Sequence, residues 1–335
     1  MKMKFRDIAA AVTVALVILA LFPGCTQEST TTTGDASQPE EAVPQLPRTP
    51  SAAVTQPDFA SPEDAAKALA DAVRAADPGA ILALLGPDSD EWLFSGDDVA
   101  DREDWRRFLE AWDRYHALNQ ADDDLAILVV GEDQWPFPAP IVKRGERWIF
   151  DAATGRQEVM ARRVGRNELD TIQTLLAILD AQREYASNDL DGDGFNDYAK
   201  QLISSPGKKD GLYWPVAPGQ PPSPVGELIG TASEEGYRVR QEGEQPSPYH
   251  GYYYRLLTEQ GADAPGGAYD YLVNGRLIGG FAVLAYPARY GVSGVMTLMV
   301  NHDATVYQQD LGEDTATLAK AMTSFNPGES WSKVD

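Results

Sequence analysis

Residues 189–197 read Asp189-Leu190-Asp191-Gly192-Asp193-Gly194-Phe195-Asn196-Asp197. Carboxylates at alternate positions around a glycine turn wrap their oxygens about one point, and the Phe195 carbonyl falls in line as a further donor. An all-oxygen set of this kind suits a hard cation, and the spacing follows the early positions of a calcium loop. Lys200 stands where such a loop ends in a bidentate glutamate, so a shorter Asp-rich loop fits better. The expected ligands are Asp189, Asp191, Asp193, Phe195 and Asp197, the expected ion is Ca2+, and its expected role is structural. The competing reading is a solvated acidic turn.

Other motifs carry less chemistry. Ser205-Pro-Gly-Lys208 has the serine–lysine spacing of acyl-transfer enzymes, but Pro206-Gly207 denies it a helix, and no Lys-Thr-Gly follows. Gly291-Val-Ser-Gly294 lacks the second glycine of a nucleophile elbow, because Val295 occupies that place. The histidines His116, His250 and His302 share no metal-ligand spacing. Among 51 Asp and Glu residues no acid pair stands out for glycoside hydrolysis. Tyr249-His-Gly-Tyr-Tyr-Tyr254, with Tyr213 and Trp214, offers faces for stacking on sugars, although aromatic strands are commonly packed sheet. No catalytic residue is assigned.

The single cysteine, Cys25, is placed informatively. Lys2, Lys4 and Arg6 precede an apolar run from Ile8 to Phe22, the pattern of a signal peptide. Leu21-Phe22-Pro23-Gly24-Cys25 resembles the lipobox of bacterial lipoproteins, departing from it in Phe22-Pro23. That resemblance implies lipidation at Cys25 and a membrane partner through the N-terminal lipid. Thr26 follows, not aspartate, which in a Gram-negative envelope implies sorting to the outer membrane, facing the periplasm. With no second thiol, intrachain disulfides are excluded. The formal charge of −23 repels phosphate backbones and argues against nucleic acid as a partner.

These residues must be held by the rest of the chain. Residues 26–57, rich in Thr, Pro, Ser and Gln, lack large apolar side chains and read as a disordered tether. An N-terminal α+β domain is expected over 58–160. It opens with a helix capped by Ser61 and Pro62, running to about Ala76. A second helix covers Gly79–Leu85 and a third Asp101–Leu118, with Trp105, Phe108, Leu109, Trp112 and Tyr115 as a core stripe. Strands follow at Leu125–Val130 and in the hairpin Ile141–Lys143 and Arg147–Phe150. A second domain is expected over 165–331. A long helix from about Asn167 carries Leu169, Ile172, Leu175, Leu176, Ile178, Leu179 and Tyr185 as its apolar stripe and hands over to the acidic loop. After a short helical turn at Tyr198–Ile203, strands are expected at Tyr237–Arg240, Gly251–Leu257, Gly279–Tyr286, Val295–Asn301 and Thr305–Gln309. A helix over Asp314–Met322 closes the set.

A long helix followed by an antiparallel meander is similar to the plan of type IV pilins, an analogy of fold and not of function. More specifically, residues 58–331 resemble a bacterial family known as domain of unknown function 2950. The matching stretches are Trp135-Pro-Phe-Pro138, Gly165-Arg-Asn-Glu168, Ser204-Ser-Pro-Gly-Lys208, Asp210-Gly-Leu-Tyr-Trp-Pro215, Tyr249-His-Gly-Tyr252 and Gly279-Gly-Phe-Ala282. The resemblance implies no activity or site residues. The fold class expected is α+β: helices with a small antiparallel sheet, then a pilin-like helix packed on an antiparallel sheet. The role expected is a lipid-anchored, non-enzymatic binding or scaffold module, with an envelope protein or glycan as candidate partner. The alternative is an enzyme acting on an envelope polymer such as a glycan.

Overall fold

The computed structural model describes residues 56–86, 89–192, 194–217, 219–239 and 246–334. The expected signal segment with Cys25, and the expected tether up to Thr55, lie outside the described residues. Gln56 is already docked: its amide nitrogen donates to the carbonyls of Leu84 and Phe150, each at 2.8 Å.

Among the described residues four helices come first, and capping residues set where three of them start. In α1 (Pro62–Arg74), Ser61 Oγ accepts from Asp64 N and Pro62 opens the first turn. In α2 (Pro78–Leu85), Asp77 and Pro78 do the same work. A short α3 (Asp90–Leu93) leads to α4 (Asp98–Arg114), capped by Asp97. Then come β1 (His116–Asp122), β2 (Leu125–Val130), β3 (Trp135–Pro136), β4 (Ile141–Arg144) and β5 (Arg147–Phe150). Their antiparallel order is β1-β2-β4-β5, with β3 also paired to β2. Leu69, Leu85, Phe108, Trp112, Leu128, Ile141 and Phe150 bury the first core between these helices and strands.

The long helix α5 (Ala152–Ala186) starts well before the expected Asn167, at the Asp151 N-cap. Gly165 and a run of charged residues precede Asn167. Tertiary contacts and pairs such as Arg162–Glu158, 2.7 Å apart, carry the helix through. Leu169 is not on the buried stripe; it is 66% exposed. It lies six residues before Leu175, which rotates it about 120° away from the core face.

After α6 (Gly226–Glu234) come β6 (Tyr252–Leu257), β7 (Glu259–Gln260), β8 (Tyr269–Asp270), β9 (Leu272–Val273), β10 (Arg276–Leu277), β11 (Ala282–Pro287), β12 (Met296–Asn301) and β13 (Val306–Asp310). The chain closes with α7 (Thr315–Ala321) and β14 (Ser332–Lys333). The main sheet runs β14-β13-β12-β11-β6, and each neighbouring pair is antiparallel. Strand β11 is buried along its whole length, because the sheet is covered on both faces. Val283 and Ala285 join Leu175, Ile178, Leu179 and Tyr185 of α5 on one side. Ala282, Leu284 and Tyr286 meet Ala319 and Phe325 on the other, the two-residue alternation of a strand. Burying Leu175 and Leu179 stabilises this packing by about 2 kcal/mol each.

The α+β class therefore stands, with a long helix laid on an antiparallel sheet. Several expectations are corrected. The third helix ends at Arg114, and Tyr115 turns extended so that β1 can pair with β2. Tyr115 is exposed, not core. Tyr198–Ile203 makes single bridges, Tyr198 to Leu277 and Ile203 to Tyr213, instead of a helical turn. Residues 237–239 form no strand, and Arg240 lies outside the described residues. Helices α3 and α6 have no counterpart among the expected elements.

Candidate ligand-binding cavity

Two helix faces oppose each other across a cavity of about 490 Å³. On α4 the lining residues Asp101, Asp104, Trp105 and Phe108 follow the spacing that puts side chains on one helical face. On α5 Val159, Arg162, Arg163 and Arg166 repeat that spacing. Trp92 and Leu93 of α3 add to the wall, as do Trp135, Phe137 and Pro138, with Arg107, Ala111, Val130 and Asp133 among the remaining lining residues. Most of the lining is carbon.

Aromatic packing stiffens the walls. Phe108 and Phe137 meet edge-on with centroids 5.6 Å apart, and Trp105 meets Phe108 at 6.4 Å. The Arg162 guanidinium stands over the Trp135 ring, 5.3 Å from its centroid. Arg166 holds Asp104 in a two-pronged pair at 3.0 and 2.9 Å.

The innermost charges are Asp101 and Arg163, 6% and 8% exposed. Ser95 N donates to both Asp101 oxygens, at 3.1 and 2.9 Å. Arg163 Nη2 lies 4.0 Å from Asp101 Oδ1, too far for a hydrogen bond. Arg163 Nη1 has no hydrogen-bond partner among the described residues. Burial pushes the Asp101 carboxyl up to about 6, while the Ser95 hydrogen bonds and the Arg163 charge pull it down. Burial also lowers the basicity of Arg163, with Asp101 opposing.

The cavity was not assigned from sequence. The stripe of Trp105, Phe108, Leu109, Trp112 and Tyr115 is expected in the core. Phe108 and Trp112 are core, whereas Trp105 is half-buried at the cavity wall. The signal that could have found it is the repeat of Arg162, Arg163 and Arg166 on one face, visible only once α5 is known to start at Ala152.

The expected ion ligands lie on the loop after α5. Asp189 Oδ2 accepts from Gly194 N at 3.0 Å, drawing the loop back on itself. Phe195 is half exposed, with the Arg276 guanidinium 3.6 Å above its ring, and Asp197 is buried. Asp193 lies outside the described residues, as does Cys25. Among the described residues, no group of three or more His, Cys, Asp or Glu is arranged to hold a metal ion.

The histidines are dispersed. His116 stacks on Trp112 at 3.9 Å. His250 lies between Asp170 and Glu235, at 3.7 and 3.5 Å. His302 packs edge-on against Tyr271. Ser205 donates to Asp210 at 2.9 Å within a tight turn, and no helix carries it toward Lys208.

A second, larger groove of about 1130 Å³ includes Tyr237, Tyr249, Tyr253, Tyr254 and Tyr286 in its lining. Burial pushes the Tyr249 hydroxyl up to about 12, with the charges of Glu235 and Asp170 adding to it. The rings offer stacking faces along the groove.

Among the described residues no helix is long and apolar enough to cross a membrane. No curated protein and no solved structure matches the chain. The model of one family, described as a protein of unknown function (DUF2950), matches residues 56–334, and the chain belongs to that family.

Proposed function

We propose that this chain is a non-enzymatic binding module of the cell envelope, held to a membrane by lipid on Cys25, with its ligand site in the cavity between α4 and α5. One observation carries the reading: a walled cavity of about 490 Å³, mostly carbon, with a few convergent polar groups. Small-molecule sites fall in that size range and have that make-up. Asp101, whose raised pKa could suit an acid catalyst, is engaged by Ser95 N and faces Arg163. That arrangement favours holding a ligand over transferring a proton.

Tryptophan fluorescence tests it directly, since Trp92, Trp105 and Trp135 line the space. Bicyclic aromatic probes titrated into the full chain should bind at one site, and Val159→Trp or Ala111→Phe should block them. Probes that fail to bind, or that bind both variants as well as the parent, would remove the cavity from consideration. The anchor has its own test: processing should be sensitive to globomycin and lost in Cys25→Ser, and unchanged membrane association of that variant would count against lipidation.

The acidic loop is read as a structural calcium site joining α5 to the sheet. Its acidic residues follow the negative C-terminal end of α5 in the chain, where a cation would relieve their repulsion. The second functional reading, action on an envelope glycan, is favoured by the tyrosine-lined groove. Soluble glycan fragments that bind there and are cleaved would raise it above the first.

A further inference from the structure

We infer that the cavity seats an acidic group against Arg163 and takes a flat amphipathic monoanion whose apolar body lies against Trp105 and Trp135. The inference rests on the cavity being the ligand site and adds the class of ligand. A guanidinium moved out of water costs several kcal/mol unless it is paired and hydrogen-bonded. Arg163 is 8% exposed, its Nη1 meets no hydrogen-bond partner among the described residues, and its contact with Asp101 stretches to 4.0 Å. The pairing inside the protein is therefore incomplete, and Arg163 is among the residues that line the cavity.

The local charge balance points the same way. The chain as a whole carries −23. The cavity instead gathers Arg107, Arg162, Arg163 and Arg166 against Asp101, Asp104 and Asp133. Arg166 is engaged with Asp104, and Arg162 is paired with Glu158 and stacked on Trp135. Arg163 is the deepest of the four and has a donor to spare. A planar fork of donors matches a carboxylate better than any neutral group. The carbon walls then select for an acid borne on a ring or chain over a small inorganic anion.

The test uses a matched pair, 2-naphthoate and 2-naphthalenemethanol, which share a ring and differ in charge. Calorimetric titration of the full chain should show the acid binding at least tenfold more tightly than the alcohol. In the double variant Arg163→Gln/Asp101→Asn, neither charge is left buried alone. It should lose the preference while keeping its affinity for the alcohol. Arg163→Lys, which keeps charge without the fork, should retain part of it. Equal binding of acid and alcohol, or a preference that survives in the double variant, would overturn the role of Arg163 and leave the cavity reading standing. If neither probe binds, both readings fall.

Discussion

Asp97 Oδ2 accepts a hydrogen bond from the Tyr237 hydroxyl at 2.8 Å, joining residues 140 positions apart. The same oxygen accepts from Gly251 N at 3.0 Å, while Oδ1 caps α4 through Val99 N and Ala100 N. Burial, and next the nearby Asp97 charge, hold the Tyr237 hydroxyl protonated above the ordinary tyrosine range. One buried carboxylate thus starts a helix of the first half and fixes the backbone leading into β6. Asp97→Ala removes the cap and leaves Gly251 N without an acceptor. It should destabilise the fold by about 3 kcal/mol in urea unfolding, whereas Tyr237→Phe should cost about 1 kcal/mol. Equal, small losses would show that the link is incidental.

Asp101 makes stability depend on pH in a direction unusual for a carboxylate. Its ordinary value of 3.8 is raised to about 6 in the folded chain, so the folded state holds the proton more tightly. The contribution is fully present below the unfolded value and is lost as pH rises through about 6. Relative to Asp101→Asn, the parent should gain on the order of 2 kcal/mol between about pH 7.5 and about pH 4.5. Parallel stability curves for the two proteins would refute it. The groups acting on this carboxyl are Ser95, Arg163 and Asp97, and on Arg163 also Asp104, Arg166 and Arg289. Protonating Asp101 frees Arg163, so 2-naphthoate should bind severalfold more tightly at about pH 5.5 than at about pH 7.5.

Local signals in the sequence were legible where one residue decides the outcome. Ser61-Pro62 marks the start of α1, and the Arg144-Gly145-Glu146 turn marks the β4–β5 hairpin. The all-apolar run of β11 reads as a buried strand because both of its faces are covered. The first half of α5 was not legible. Arg163 is charged yet buried, and Gly165 costs about 1 kcal/mol in a helix, so local propensity argued against what packing enforces. Missing those turns hid the α5 face of the cavity. The acidic loop was legible as a pattern, but the direction of each carboxylate depends on Gly192 and Gly194, both at positive φ.

Calcium should raise the melting temperature, and chelator should reverse the rise. At a concentration about one hundred times the dissociation constant, binding adds about 2.7 kcal/mol. Asp191→Asn should shrink the shift, because it removes one of the expected carboxylate ligands. A melting temperature indifferent to calcium, or an equal shift in the variant, would leave the loop as a solvated turn.

Two glycines of α5 should respond with opposite signs to the same substitution. A Cβ on Gly155 would lie 2.8 Å from Ala139 Cα, 2.9 Å from Ala139 N and 3.0 Å from the Pro138 carbonyl carbon. All three are backbone atoms, so the helix itself must back away from the segment carrying Phe137 and Pro138. Alanine improves helix propensity by about 1 kcal/mol, but overpacking against backbone costs about 1–3 kcal/mol. Gly155→Ala should therefore destabilise by about 1 kcal/mol, and should also weaken probe binding because the cavity wall shifts. A Cβ on Gly165 meets nothing within 4 Å. Gly165→Ala should stabilise by about 0.5–1 kcal/mol through propensity and unfolded-state entropy alone. Urea midpoints decide it: a stabilised Gly155→Ala would mean that α5 does not sit this close to the chain at Ala139.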